Sequence, residues 1–392
     1  MSTVHHARWV LPISQPPIEN GCVEIDAGRI IAVGGEHSPP STEHDRVILP
    51  GLVNAHTHLE LSWMRDQVPP ARSMPQWVER LMALRRTVGP EPSAPIADAI
   101  RESRAAGTML FGEITNTLAS YEPLATSGMS AAVFRELLGF NVADPDGTVK
   151  GAQAQLENLR PVARLRWSVV PHAPYSVSPA LLRAIADASK DARISIHLGE
   201  SAEELDFLGS GGGAWRSLLT SLGAWTDQWR PPGTGPVDYV ASHGLLNQRL
   251  LAVHCVHLTE RELAMLAEAG ASVVTCPRSN QWVGAGVPPV ERFYRSGVRV
   301  AVGTDSLASV GDLNVFSELR LMRQIAPGIP AREILASATR HGADALGFGD
   351  TLGTIEPGKR AELITVSVPE GAGDVEEYLL SGIEPEQVRW LQ

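Results

Sequence analysis

Val47-Ile48-Leu49-Pro50-Gly51-Leu52-Val53-Asn54-Ala55-His56-Thr57-His58 is the stretch whose reading decides the fold. Its apolar run reads as a β-strand, and a strand turns alternate side chains to the same face. His56 and His58 then project together, spaced to share one divalent metal. A His-x-His pair also arises by chance. Its weight therefore rests on what the rest of the chain supplies.

Seven further apolar runs follow, at 108–112, 131–134, 165–170, 193–196, 250–253, 271–274 and 298–302. Helical patterns at 97–106, 148–160, 179–188 and 260–268 separate most of them. Eight strands alternating with helices predict an α/β fold, a closed parallel (β/α)₈ TIM-like barrel. The runs end in residues suited to chemistry: His56 and His58, Glu113, Arg135 with Glu136, His172, His197, His254, Cys276 with Arg278, and Asp305. In such a barrel the active site lies at the C-terminal strand ends.

Residues 1–49 read as short strands and turns, with a Pro/Ser loop at 38–42. A strand-like patch at 361–366 follows the turn Glu356-Pro357-Gly358-Lys359. Both ends are expected to build one small β-sandwich domain. The division is then 1–49 and 349–392 for the small domain and 50–348 for the barrel. Residues 209–249, with Gly211-Gly212-Gly213, Trp215, Trp225 and Trp229, form an insertion after the fifth strand. It reads either as a loop-rich flap over the pocket mouth or as a surface excursion without a role.

Length and charge bound the function. The chain has 392 residues and a net charge of -11, which argues against a nucleic-acid or anionic-membrane surface. Its three cysteines, Cys22, Cys255 and Cys276, suit a reduced cytoplasmic protein rather than a disulfide framework. Neither a signal-peptide core nor a membrane span is expected.

Zn²⁺ and Fe²⁺ accept imidazole and carboxylate ligands, and His56, His58, His197 and Asp305 offer three imidazoles and one carboxylate. Glu200, three residues beyond His197, is placed to shuttle a proton from water to a leaving nitrogen. His254 should face the barrel mouth, with His257 on the following turn. Cys255 and Cys276 lack Cys-x-x-Cys partners and read as small buried residues.

The order His56-x-His58, His197-x-x-Glu200, His254, Asp305 resembles the amidohydrolase superfamily, in its cytosine-deaminase and chlorohydrolase-like branch. The resemblance runs from Asn20-Gly21 through the opening stretch to 353–363. Pro171-His172-Ala173-Pro174-Tyr175 and 252–258 are similar to segments of adenosine-type deaminases. The stretches 56–62, 197–208 and 274–280 look closest to deaminases of 6-aminodeoxyfutalosine, an adenine nucleoside of menaquinone biosynthesis.

The resemblance implies metal ligands His56, His58, His197 and Asp305. Glu200 would protonate the ring nitrogen beside the attacked carbon, and His254 and Asp305 would deprotonate the water. It also implies substrate contacts from His172 and Arg135, and Trp63, Ser279 and Asn280 are read as further ones. Binuclear relatives carry a modified lysine at the end of the fourth strand. Val169-Val170-Pro171-His172 has none there, so one divalent ion is expected.

The expected function is hydrolytic deamination of a small-molecule adenine nucleoside, with a homodimer allowed for. Alternatives are deamination of adenosine, S-adenosylhomocysteine, guanine or a pterin, dechlorination of a triazine, and a non-catalytic barrel.

Overall fold

The computed structural model describes residues 2–35, 45–87 and 93–391. The 38–42 loop lies outside the described residues. Strands β1 (Thr3–Val10), β2 (Ile18–Asp26), β3 (Arg29–Gly34) and β4 (Arg46–Pro50) open the chain. Gly51 then separates β4 from β5 (Leu52–Thr57), so the decisive stretch is two strands rather than one. A Cβ at Gly51 would come within 2.8 Å of Met109 and 3.0 Å of Trp390. Only a bare backbone fits where the chain passes from one sheet to the other.

The barrel strands are β5, β6 (Thr108–Thr115), β7 (Ser130–Leu137), β8 (Leu165–Pro171), β9 (Ile194–Leu198), β10 (Leu250–His254), β11 (Ser272–Thr275) and β12 (Arg299–Val302). They pair in parallel as two four-stranded halves, β5-β6-β7-β8 and β9-β10-β11-β12. The halves meet at two seams. His197 N–H donates to the His172 carbonyl at 2.9 Å, and Asp305 N–H donates to the His56 carbonyl at 3.0 Å. Gly303 permits the second seam, since a Cβ there would lie 2.7 Å from the His56 carbonyl oxygen. Both seams thus run through residues that the sequence nominates for chemistry.

Val53, Leu110, Phe134, Val170, Leu251, Val253, Val274 and Ala301 belong to one buried apolar cluster, the packed interior that such a barrel requires. The helix Pro179–Ala188 lies against the outer face through Leu181, Leu182 and Ile185, and Ser178 caps it by accepting from Leu181 N–H.

Strands β13 (Leu363–Ser367) and β14 (Val388–Trp390) return to the first four. The terminal strands form one six-stranded sheet separate from the barrel, in the order β14-β13-β4-β1-β2-β3, as expected of a small β-domain built from both ends of the chain. β14 was not legible in the sequence. It is three residues long and is defined by antiparallel pairing with β13. No helix among the described residues is long and apolar enough to cross a membrane.

The insertion is more regular than a loop. It carries the helices Gly213–Ser221 and Pro236–Ser242. Trp229 stacks on Phe207 at 4.7 Å and Trp215 on Tyr175 at 3.9 Å between ring centroids. Aromatic stacking in place of backbone pairing holds it over the C-terminal face.

Candidate active site

Val53 and Ala55 pack into the barrel interior, but the register of β5 against β6 shifts between Asn54 and Thr57. Such irregularities re-aim side chains beside active sites, and His56 and His58 follow from it. His254 and Asp305 have φ of 73° and 60°, in the left-handed region that non-glycine residues rarely adopt. Strain of this kind persists only where surrounding contacts fix it. Gly199, at φ 59°, turns the chain between His197 and Glu200, and a Cβ there would meet Leu258 Cδ2 at 2.4 Å.

These turns converge six ionisable side chains. Ligand atoms of His56, His197 and His254 lie within 4.8 Å of one another, as do those of His56, His58 and Asp305. His58 Nε2 is 3.6 Å from Asp305 Oδ1, and His254 Nε2 is 3.5 Å from Glu200 Oε1. His197 Nδ1 meets the His172 carbonyl at 2.9 Å, which leaves Nε2 for the site.

Burial disfavours charge on every ring. It holds His58 down to about 3 and His197 to about 4, in both cases with His172 adding to the effect. His56 and His254 lie well below the usual range for the same first reason, with His197 next. Neutral imidazole is the form that binds metal.

Both ring nitrogens of His56, Nε2 of His254 and Oε2 of Glu200 are buried without a hydrogen-bond partner. A buried polar atom left unsatisfied costs about 1–3 kcal/mol. A divalent cation would take one His56 nitrogen together with His58, His197 and Asp305, so these residues fit a metal.

Burial, then the charges of Asp305 and Glu204, raises the Glu200 carboxyl well above its usual range. A bound dication would oppose that shift. Glu204 accepts from the backbone N–H of Gly199 and Glu200 at 2.9 and 3.2 Å, and so fixes the loop that aims Glu200.

A cavity of about 370 Å³ opens onto the cluster. His58, His172, His197, Glu200, His254 and Asp305 line its floor. Its walls are mostly apolar, with Met74, Trp77, Val78 and Leu81 of the helix Met74–Arg85 and Trp215, Leu218, Leu219 and Leu222 of the insertion, and Arg85 closes the same helix's side of the lining.

Four expected substrate contacts fall elsewhere. Ala132 and Phe134 of β7 face the barrel interior, so period two turns Glu136 inward and Arg135 outward. Arg135 Nε donates to Gln155 on the helix Pro145–Glu157, at 3.3 Å, and the side chain does not line the cavity. Trp63 lies on the 3₁₀ helix Leu59–Met64 and packs against the main apolar core, while Leu61 lines the cavity instead.

Ser279 and Asn280 sit behind Asp305 and His254 and do not line the cavity. Ser279 Oγ donates to Asp305 Oδ2 at 2.5 Å, and Asn280 Nδ2 is 2.9 Å from His254 Nδ1. Asn280 Oδ1 has no partner. Turning that amide would put an acceptor on Nδ1 and leave the Nε2 lone pair facing the site, so Asn280 sets the tautomer of His254.

Glu136, which the sequence analysis placed at a strand end without a role, does reach the site. Its Oε1 is 3.6 Å from His197 Nδ1, and its Oε2 accepts from Asn116 Nδ2 at 2.9 Å. Arg278 is instead spent on Glu318 and Asp312, at 2.7 and 3.0 Å, and His257 Nε2 bonds the Ala285 carbonyl at 2.8 Å.

A parallel barrel with imidazoles and carboxylates gathered at its strand ends defines a hydrolase of the metal-assisted class. The model of the amidohydrolase family matches residues 47–382, and the chain belongs to that family. It is therefore a hydrolase acting on carbon–nitrogen bonds. A 5-methylthioadenosine/S-adenosylhomocysteine deaminase of Moorella thermoacetica is 31% identical over 385 residues, covering 92% of this chain and 84% of that one.

Among solved structures, a zinc-bound adenosine deaminase of Xanthomonas campestris superposes with a TM-score of 0.82 at 28% identity, over 98% of this chain and 90% of its own. The aminofutalosine deaminase of Helicobacter pylori, in complex with methylthio-coformycin, gives 0.85 at 25% identity, over 99% and 97%.

Proposed function

We propose that this chain is a divalent-metal-dependent deaminase that releases ammonia from C6 of an adenine nucleoside with a bulky, largely hydrophobic 5′ substituent. The observation that carries the substrate class is the cavity. Its floor is polar, and its walls are a Met, Trp and Leu surface with Arg85, contributed by the helix Met74–Arg85 and the insertion. A ring that reacts at the floor would extend its 5′ group along those walls. The sequence favours 6-aminodeoxyfutalosine. 5′-Methylthioadenosine is the second reading, favoured by the relative at 31% identity.

His56, His58, His197 and Asp305 would hold the metal, and Zn²⁺ suits that donor set. A divalent cation there supplies the Lewis acidity that makes water nucleophilic near neutral pH. Glu200 holds a proton on its buried carboxyl and passes it to the ring nitrogen beside C6, which makes that carbon electrophilic. Asp305 and His254 take the proton of the attacking water, Asp305 held by Ser279 and His254 by Asn280. The proton taken from water is returned from Asp305 and His254 to the amino nitrogen, which leaves as ammonia.

The test is ammonia release by zinc-loaded protein from 6-aminodeoxyfutalosine, 5′-methylthioadenosine, S-adenosylhomocysteine, adenosine, guanine and cytosine. Turnover of the first two ahead of adenosine is expected. Preference for guanine or cytosine would overturn the adenine reading, and equal turnover of adenosine would overturn the role given to the apolar walls.

A further inference from the structure

The larger cavity, about 670 Å³, lies at the opposite end of the barrel from the histidines. Four arginines line it: Arg166, Arg193, Arg249 and Arg299. Each stands at or beside the first residue of a strand (β8, β9, β10 and β12) whose other end leads to His172, His197, His254 or Asp305. At about four to six residue steps of about 3.3 Å each, the two sites are roughly 13–20 Å apart.

In a chain of net charge -11, four guanidinium groups around one cavity need a reason. Among the described residues none of the four has a carboxylate within ion-pair distance. They hold backbone and neutral groups instead. Arg193 donates to the carbonyls of Gln248 and Asp344, both at 3.0 Å, Arg166 to that of Gly347, and Arg299 to Ser272 Oγ at 3.4 Å. Arg249 Nε is buried with no partner at all. Burial first, then the charges of Arg299, Arg249 and Arg166, with Asp344 opposing, hold the Arg193 guanidinium below its usual range.

These contacts fix the guanidinium groups in place, and Asp191 is the carboxylate that shares the lining with the four positive charges. A second feature adds a ligand's other half. Trp167, 41% exposed, lines the same cavity. An exposed indole beside fixed guanidinium groups offers a planar surface for a ring, while arginine forks match phosphate oxygens. The volume suits a molecule of mononucleotide size.

We infer that the N-terminal face of the barrel is a binding site for a phosphorylated small molecule with at least two negative charges and a planar ring. The cavity, the four arginines and Trp167 carry this inference, and it stands independently of the reaction at the other face. The anion would sit among Arg166, Arg249 and Arg299, and the ring against Trp167.

Isothermal titration of the full-length, zinc-loaded protein with pyrophosphate and with uridine diphosphate tests it at low salt. Pyrophosphate should bind saturably, with one site per chain. Arg249→Gln and Arg299→Gln should each weaken it about tenfold, the loss of one charge-assisted contact. Arg249→Lys, which keeps the charge, should recover part of the loss.

Uridine diphosphate should bind more tightly than pyrophosphate, and Trp167→Ala should erase that margin while leaving pyrophosphate unchanged. Thermal melts establish that each variant is folded. No saturable binding at millimolar pyrophosphate would overturn the inference. Binding indifferent to both arginine substitutions would place the anion elsewhere, the metal face included, with the same consequence. Equal affinity for the two probes would overturn the place given to the ring.

Discussion

The two ends of the same strands carry opposite chemistry. At the C-terminal ends of β8, β9, β10 and β12 stand His172, His197, His254 and Asp305; at their N-terminal ends stand Arg166, Arg193, Arg249 and Arg299. The upper end stores strain and leaves polar atoms unmet. His254, Cys255 and Asp305 take positive φ, and His56, His254 and Glu200 have buried atoms without partners. The lower end shows no positive φ at its four arginines, and three of them are held by carbonyl or hydroxyl groups. The barrel dictates where strand ends lie and says little about what stands on them. One end gathers imidazoles and a carboxyl whose charged forms burial disfavours, and the other carries four guanidinium groups.

The sharpest way to break this contrast is at Glu200. Glu200→Gln, with unchanged zinc content, should lower kcat by about 10²–10⁴, the range of general acid–base catalysis. A variant within a few-fold of wild type would remove Glu200 from the reaction. Smaller losses belong to the groups behind the site. Ser279→Ala and Asn280→Ala should each cost about 10–100-fold in activity or zinc affinity. Asn280→Ala should also displace the basic limb of the pH–rate profile, because it frees the His254 tautomer. An effect on KM alone would return both residues to the substrate contacts.

At the basic end the expected effect is on stability. Burial first, then Arg340, holds His341 down to about 4, with Arg299 a further contribution. Its neutral form is thus favoured by folding. Stability from this group is complete above the unfolded value of 6.5 and declines as pH falls toward 4. At pH 5 the loss is on the order of 2 kcal/mol. His341→Gln should flatten that part of the pH–stability curve; urea titrations at pH 7 and pH 5 that change equally in both proteins would contradict this.

Gly199→Ala, at φ 59°, should cost about 1–2 kcal/mol in stability and reduce turnover by shifting Glu200. A neutral result would mean that the turn relaxes freely. The smallest effect is expected at Arg135. Because its side chain faces the helix Pro145–Glu157, Arg135→Met should change kcat/KM by less than about twofold. A large rise in KM would bring it back to the substrate.

These contrasts also mark what the sequence made legible. Metal and acid candidates lie just past apolar runs, and a strand end is visible in one dimension. Eight such runs were enough for the barrel. Gly51 hid the change of sheet, because β4 and β5 are both apolar and only one residue apart. The pair Arg135-Glu136 was ambiguous until the interior side of β7 was known, since a shift of one residue exchanges the two faces.

Ser279 and Asn280 were found by motif similarity, which marks proximity to a site without separating a group that touches substrate from one that steadies another side chain. The apolar walls come from the helix Met74–Arg85 and from residues beyond 210. That pairing joins distant segments and has no local signal.

The central claim is that the upper cluster binds one divalent ion and uses Glu200 to expel ammonia from an adenine nucleoside. The most direct measurement is ammonia release from 6-aminodeoxyfutalosine and 5′-methylthioadenosine by wild type and Glu200→Gln, each carrying one zinc per chain. The account predicts turnover by the wild type on at least one of the two and near-silence from the equally loaded variant. Equal rates from the two proteins, or a zinc-loaded wild type silent on both nucleosides, would contradict it.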